Sequence, residues 1–210
     1  MFLYIYKKPK TSMKKLLTLL VFLSFNINAQ VITIGTQTWS TKNLEVSTYR
    51  NGDTIPQVES EADWAKLSTG AWCYSEKDNG TVYGKLYNWY AVKDARGLAP
   101  NGFHIPSDAE WTTLTDNLGG AEIAGSKMKS ILGWHGSVKG NNASGFSALP
   151  GGCRNYNGAF GYVGYYGYWW SSTEDNAFHA FYRHLSYDNG NAYRVFNDEH
   201  DGFSVRCLKD

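Results

Sequence analysis

Several things are scarce in this 210-residue chain, and each scarcity excludes something. Lysine and arginine total 20 against 19 aspartate and glutamate, a net charge of +1, and no basic block stands out. A nucleic-acid partner is therefore not expected. No apolar run is long enough for a membrane span. The longest, residues 16–25, is about half of the ~20 residues a spanning helix needs. There are three cysteines, Cys73, Cys153 and Cys207, too far apart for a zinc site. The five histidines form no H-E-x-x-H or other ligand spacing, and G-x-S-x-G, P-loop and G-x-G-x-x-G patterns are absent. Carboxylates are scattered, and nothing nominates a glycosidase pair, whose spacing is spatial and not sequential.

The apolar run has a different meaning at its position. Residues 13–30 read MKKLLTLLVFLSFNINAQ: two lysines, an apolar stretch, then small and polar residues up to Ala29. That is the layout of a secretory signal peptide over residues 13–29, cleaved before Gln30. Residues 1–12 lie upstream of the better start Met13 and read as an over-extended start. No cysteine follows the apolar run, which argues against a lipid-anchored cleavage site. Residues 30–210, about 180 residues, suit one domain with its own core. The expected localisation is secreted, periplasmic or on the outer cell surface, with no integral membrane span in the mature chain.

What is abundant is rings and glycine: 8 Trp, 15 Tyr, 10 Phe and 22 Gly. That combination favours short strands, turns and irregular loops over long helices. Residues 31–44 begin with strand alternation and read as a strand or hairpin with Trp39 in the core. Asn51-Gly52 and Asp78-Asn79-Gly80 are turn signals. Residues 61–67 carry Trp64 and Leu67 at the spacing of a short helix; residues 87–92 suit a helix or a strand. The clearest helix lies in residues 106–120, opened by the Ser107/Glu110 capping box, with Trp111, Leu114 and Leu118 on one face and Gly119-Gly120 as its stop. A second helix is expected over residues 121–132, with Met128, Ile131 and Leu132 inward. Residues 146–149 and 203–208 read as strands. Asn157-Gly158 and Asn189-Gly190 each sit between strand-like runs, a strong hairpin signal.

Six motifs, IGTQTWSTKNL, YGKLYNWYAV, GLAPNGFHIPSDAEWTTLTDNLGG, GFSALPGG, GYWWSST and GFSVRC, occur in that order and span nearly all of residues 30–210. Together they resemble the Fibrobacter succinogenes major paralogous domain family of bacterial surface and secreted proteins. The resemblance implies an α+β fold of the C-type lectin-like type, in its formylglycine-generating-enzyme-like form. Two helices would pack on small twisted antiparallel sheets, with long loops over one end. The formylglycine-generating relatives work with a pair of active-site cysteines. Here Cys153, beside Arg154, has no second cysteine nearby, so no enzyme activity is expected. Export permits a disulfide. Cys73–Cys207 is the pairing we expect, with Cys153–Cys207 as its rival, since three cysteines leave one over. Within the motifs, Trp169 and Trp170 should alternate, one inward and one toward a loop. Phe203, Val205 and an internally paired Arg206 belong to the framework, and His104 reads as structural.

The C-terminal aromatic stretch carries the functional expectation. From Phe178 to Phe196 rings fall at both odd and even positions, with Asn, Asp and His between them. A strand buries only one face unless covered on both, so some of these rings should face solvent. Rigid rings among small polar side chains are the composition of binding loops. Tyr165, Tyr166, Phe181, Tyr182, His184, Tyr187, Asn189, Asn191, Tyr193 and Asn197 are the candidate contacts. The expected partner is an extracellular glycan or protein. Residues 155–201 also look similar to the variable stretch of lectin-like targets of diversity-generating retroelements. No cofactor is assigned. Calcium is the one weighed, because Asn197-Asp198-Glu199 has suitable oxygens, but the plainer reading is an acidic turn. The competing class of function is a structural cell-envelope module without a discrete ligand.

Overall fold

A computed structural model describes residues 30–76, 81–136 and 140–210. The proposed start and signal peptide, residues 1–29, and the turn at 78–80 lie outside the described residues. The elements, in chain order, are β1 (Val31–Ile34), β2 (Gln37–Ser40), α1 (Glu61–Trp64), β3 (Trp72–Tyr74), β4 (Lys85–Tyr87), α2 (Trp89–Val92), β5 (Phe103–His104), α3 (Asp108–Asn117), α4 (Ala121–Met128), β6 (Cys153–Arg154), β7 (Phe160–Gly161), β8 (Tyr166–Asn176), β9 (His179–Ser186), β10 (Ala192–Asp198) and β11 (Leu208–Lys209). The architecture is α+β, built from small antiparallel sheets and few helices. One sheet runs β1-β2-β11-β5 and a second β10-β9-β8; β3-β4 and β6-β7 are separate pairs. No helix of the described residues is long and apolar enough to cross a membrane.

Local chemistry sets the elements that position the site. Ser107 Oγ accepts from the Glu110 backbone N–H at 3.3 Å, and Glu110 Oε2 accepts from the Ser107 N–H at 2.7 Å, closing the capping box of α3. Glu110 also holds His104 at 2.9 Å, and Asp210 takes the other ring nitrogen at 2.8 Å, tying β5 to α3 and the last residue. Gly119 and Gly120 have φ of 98° and 101°, so the chain turns directly from α3 into α4. Gly125 lets α4 press on the turn before β10: a Cβ there would lie 2.3 Å from the Asn191 carbonyl oxygen. Trp39, Trp111, Leu114, Met128, Phe146, Trp169 and Leu185 form one core cluster. A second gathers Tyr87, Trp89, Trp170, Tyr182, Phe203 and Val205 on the opposite side of the second sheet.

Several expectations are corrected. The second helix stops at Met128, because Lys129 takes an extended ψ of 134° and pairs with Ala148. Ile131 and Leu132 consequently swing outward, Leu132 being 73% exposed. Residues 87–92 are both things at once, a strand ending at Tyr87 and a helical turn capped by the Asn88 side chain. Residues 146–149 and 203–207 are held by single bridges and not by regular strands. Trp169 and Trp170 are both fully buried, since the sheet is covered on its two faces. The expected Cys73–Cys207 disulfide is not formed, nor is its rival. All three cysteines are free and buried: Cys73 packs with Trp64, Ala71 and Leu86, whereas Cys207 and Cys153 belong to the large cluster around Trp170. Arg206 is internally held as expected, but by carbonyls and an amide, not by a carboxylate.

Candidate functional site, an aromatic cleft on the second sheet

The register of the second sheet divides its residues. Tyr168, His184 and Tyr193 lie side by side across the three strands, as do Trp170, Tyr182 and Val195, with Tyr166 and Asn197 at their ends. The alternate residues, Trp169, Arg183, Leu185 and Ala192, point to α3 and α4. There Arg183 is bound by the Asp108 carboxylate at 2.6 Å, the Asp108 carbonyl at 3.0 Å and Thr112 Oγ1 at 2.9 Å.

The first set forms an aromatic face. His184 stacks on Tyr193 with centroids 4.5 Å apart and planes 21° apart. Tyr168 lies 5.8 Å from His184 on the other side and stacks on Phe203 at 5.0 Å. Trp170 and Tyr182 close the lower end against Phe203 at 4.3 and 4.7 Å. Beside them a cleft of about 360 Å³ is lined by Tyr162, Tyr166, Tyr168, His184, Asn155 and Asn197, with Cys153 at its wall. Such a volume accommodates a small ligand group.

Three features set the chemistry of this cleft. Burial holds His184 down to about 4, so the ring is neutral near pH 7, and its Nδ1 is buried with no hydrogen-bond partner among the described residues. Beside Tyr182 and Cys153, burial raises the Asp201 carboxyl to about 7, against the Tyr156 backbone N–H and the Asn197 side chain, which favour its ionised form. Tyr162 has φ of 70° and is 53% exposed. A bulky side chain with positive φ carries strain of order 1–3 kcal/mol, and such strain clusters at functional sites.

Of the ten candidate contacts, Tyr166, Tyr182, His184 and Asn197 line the cleft and Tyr193 extends its floor. Asn191 donates to the Tyr193 hydroxyl at 3.2 Å. Tyr187 sits edge-on to Tyr166 at 6.2 Å and to Tyr165 at 5.2 Å, and Tyr165 stacks on His135 at 4.4 Å, making a neighbouring shelf. Two candidates do not join. Phe181 is on the other face, under Arg194 and against Phe196, because its position has the opposite parity to Tyr182. Asn189 shapes its turn, accepting from the Asn191 N–H and donating to Asp188. Tyr182 borders the cleft but is itself core, 7% exposed, since Phe203 and Trp170 cover it.

The sequence reading missed Tyr162, Tyr168, Asn155, Cys153 and Phe203. Parity could have found Tyr168, two residues from Tyr166 on one strand. Asn155 and Cys153 arrive through the hairpin around Asn157-Gly158, whose placement beside β8 is a long-range contact.

Burial raises the thiols of Cys73, Cys153 and Cys207 to about 12, leaving almost no thiolate near pH 7. Of the weighed calcium ligands, Glu199 turns inward to Lys93 at 2.9 Å and Asp198 is taken by His200 at 2.7 Å. No three His, Cys, Asp or Glu side chains among the described residues are grouped so as to hold a metal.

No curated protein and no solved structure matches the chain. The family model described as the Fibrobacter succinogenes major domain matches residues 32–209, nearly the whole of the described structure, and the chain therefore belongs to that family.

Proposed function

We propose that this is a secreted or surface-exposed bacterial domain that binds carbohydrate through the aromatic face of its second sheet. A C-type lectin-like arrangement of the fold is part of the same reading. The observation that carries it is the cleft itself: four tyrosine rings and a neutral histidine beside Asn155 and Asn197, with a buried histidine nitrogen that has no partner among the described residues. Aromatic faces cover the apolar side of a sugar ring, and neutral amides and hydroxyls orient its hydroxyl groups without the cost of desolvating a full charge. Export rests on the signal-peptide pattern of residues 13–29. If residues 155–201 diversify, the cleft residues are where variation would change specificity, because Trp169, Trp170, Arg183 and Leu185 hold the sheet together.

The test is binding of residues 30–210 to a glycan array with and without EDTA. Specific signals that survive EDTA are expected. Signals lost in EDTA would return calcium to the site, and a blank array would replace the reading by a protein ligand or a structural envelope role.

A further inference from the structure

Three arginines, Arg154, Arg183 and Arg206, are among the largest fully buried side chains, and they are not equally occupied. Arg154 donates from Nε, Nη1 and Nη2 to the carbonyls of Gly158, Val58 and Glu59. Arg183 uses Nη1 and Nη2 on Asp108 and Thr112. Arg206 donates from Nε to Asn43 Oδ1 at 3.1 Å and from Nη1 to the carbonyls of Ser40 and Phe146 at 2.9 and 2.7 Å. Its Nη2 makes no hydrogen bond among the described residues, and no carboxylate pairs with it there. Arg206 is 1% exposed and lines a cavity of about 280 Å³ that shares no residue with the aromatic cleft.

The cavity lining mixes polar groups with the apolar side chains of Val82 and Leu149. Lys42 and Glu45 stand exposed at its rim, and Ser130 and Ser147 line it. Ser147 has φ of 58° and is pinned there by the Asn142 side chain, which accepts from its N–H at 2.8 Å and donates to its hydroxyl at 2.9 Å. Asn43 fixes the guanidinium plane: the same Oδ1 that accepts from Arg206 accepts from Trp169 Nε1 at 2.9 Å, while Nδ2 donates to Tyr83 O and Ser204 Oγ. A buried cation held only by neutral groups, with one nitrogen spare, is incomplete as a charge pair. The two N–H groups of Nη2 remain to donate charge-assisted hydrogen bonds to an anion's oxygen atoms.

We infer that this cavity is a second binding site, separate from the aromatic cleft, for a small oxyanion, a carboxylate or sulfate group, received by Arg206 with Lys42 at the entrance. Glu45 opposes the anion at the rim and limits its affinity. The group could belong to an acidic sugar or to a free anion, and the shared chemistry is the oxyanion.

The test is a titration of residues 30–210 followed by NMR at the Arg206 Nε–H. The probes are glucuronate, methyl sulfate and acetate, with glucose and matched sodium chloride as controls. A saturable shift with the oxyanions and none with the controls is expected; glucuronate binding more tightly than acetate would favour an acidic sugar. Two exposed positions test the sign without touching the core. Lys42→Gln should weaken binding about threefold and Glu45→Gln should strengthen it by a similar factor, the scale of exposed charge pairs. No oxyanion shift, an equal response to chloride, or the same affinity in both variants would overturn the site.

Discussion

The two faces of the β8–β9–β10 sheet are written into the same strands at alternate positions, yet they are finished differently. On the helix side, Trp169, Leu185 and Ala192 are closed over by α3 and α4, and Arg183 is held through Nη1 and Nη2 by Asp108 and Thr112. On the other side, closure is graded. Phe203 seals Trp170 and Tyr182, whereas Tyr166, His184 and Tyr193 stay half-buried around an open cleft. The difference is in what covers each face, not in its hydrophobicity, since both are rich in rings. A face with a buried nitrogen unpartnered among the described residues, beside a strained tyrosine, is one that packing alone has not satisfied.

The largest effect should come from the closed face. Trp169→Ala is expected to cost about 3–5 kcal/mol, because it empties a fully buried site and leaves Asn43 short of a donor. Tyr182→Ala should cost about 2–4 kcal/mol despite lying on the cleft side. Urea unfolding of both checks this; a loss under 1 kcal/mol at Tyr182 would mean that Phe203 does not close that end.

Asp201 sharpens the comparison through pH. Its folded value, about 7, lies above the ordinary carboxyl value of 3.8, so the folded state holds its proton more tightly than the unfolded chain. Its contribution is full below pH ~4 and is lost as pH rises through 7, on the order of 2–4 kcal/mol. His184 acts oppositely. Its folded value, about 4, lies below 6.5, so its contribution is present above pH 6.5 and lost as pH falls toward 4. Asp201→Asn should therefore gain stability relative to the native protein from pH 4 to pH 8, read from urea midpoints across that range. A constant difference would place Asp201 in a solvated setting.

The smallest effect on stability is expected at the open rim. Tyr162→Gly relieves φ of 70° while losing edge contacts to Tyr166 and Tyr168, and should stay within about 1 kcal/mol of the native protein. A loss of 2 kcal/mol or more in thermal or urea unfolding would make that ring a structural element.

The legible parts of the fold were those set by neighbours in sequence. The Ser107/Glu110 box, the Gly119-Gly120 stop, the hairpins at Asn157-Gly158 and Asn189-Gly190 and the burial of Trp39 follow from local spacing. What failed depended on distant partners. Ile131 and Leu132 face outward because Lys129 leaves the helix to pair with Ala148, and nothing near residue 130 announces that pairing. Both Trp169 and Trp170 are buried because Phe203, more than thirty residues away in the chain, covers one face. For the site, composition found the right stretch, and eight of its ten candidates gather at the cleft or its shelf. Phe181 was misassigned by treating every ring in the stretch alike when strand parity separates it from Tyr182 and His184. Tyr162 was out of reach, since a tyrosine gives no local sign of positive φ.

In the proposed function the His184 face of the sheet, not the opposite face, binds the ligand. The most direct measurement compares glycan-array binding of the native domain with Tyr193→Ala and Phe196→Ala, two accessible rings on opposite faces of β10, each checked for folding by circular dichroism. Tyr193→Ala is expected to lose most of the signal and Phe196→Ala to keep it. Retained binding in Tyr193→Ala with loss in Phe196→Ala would contradict that expectation.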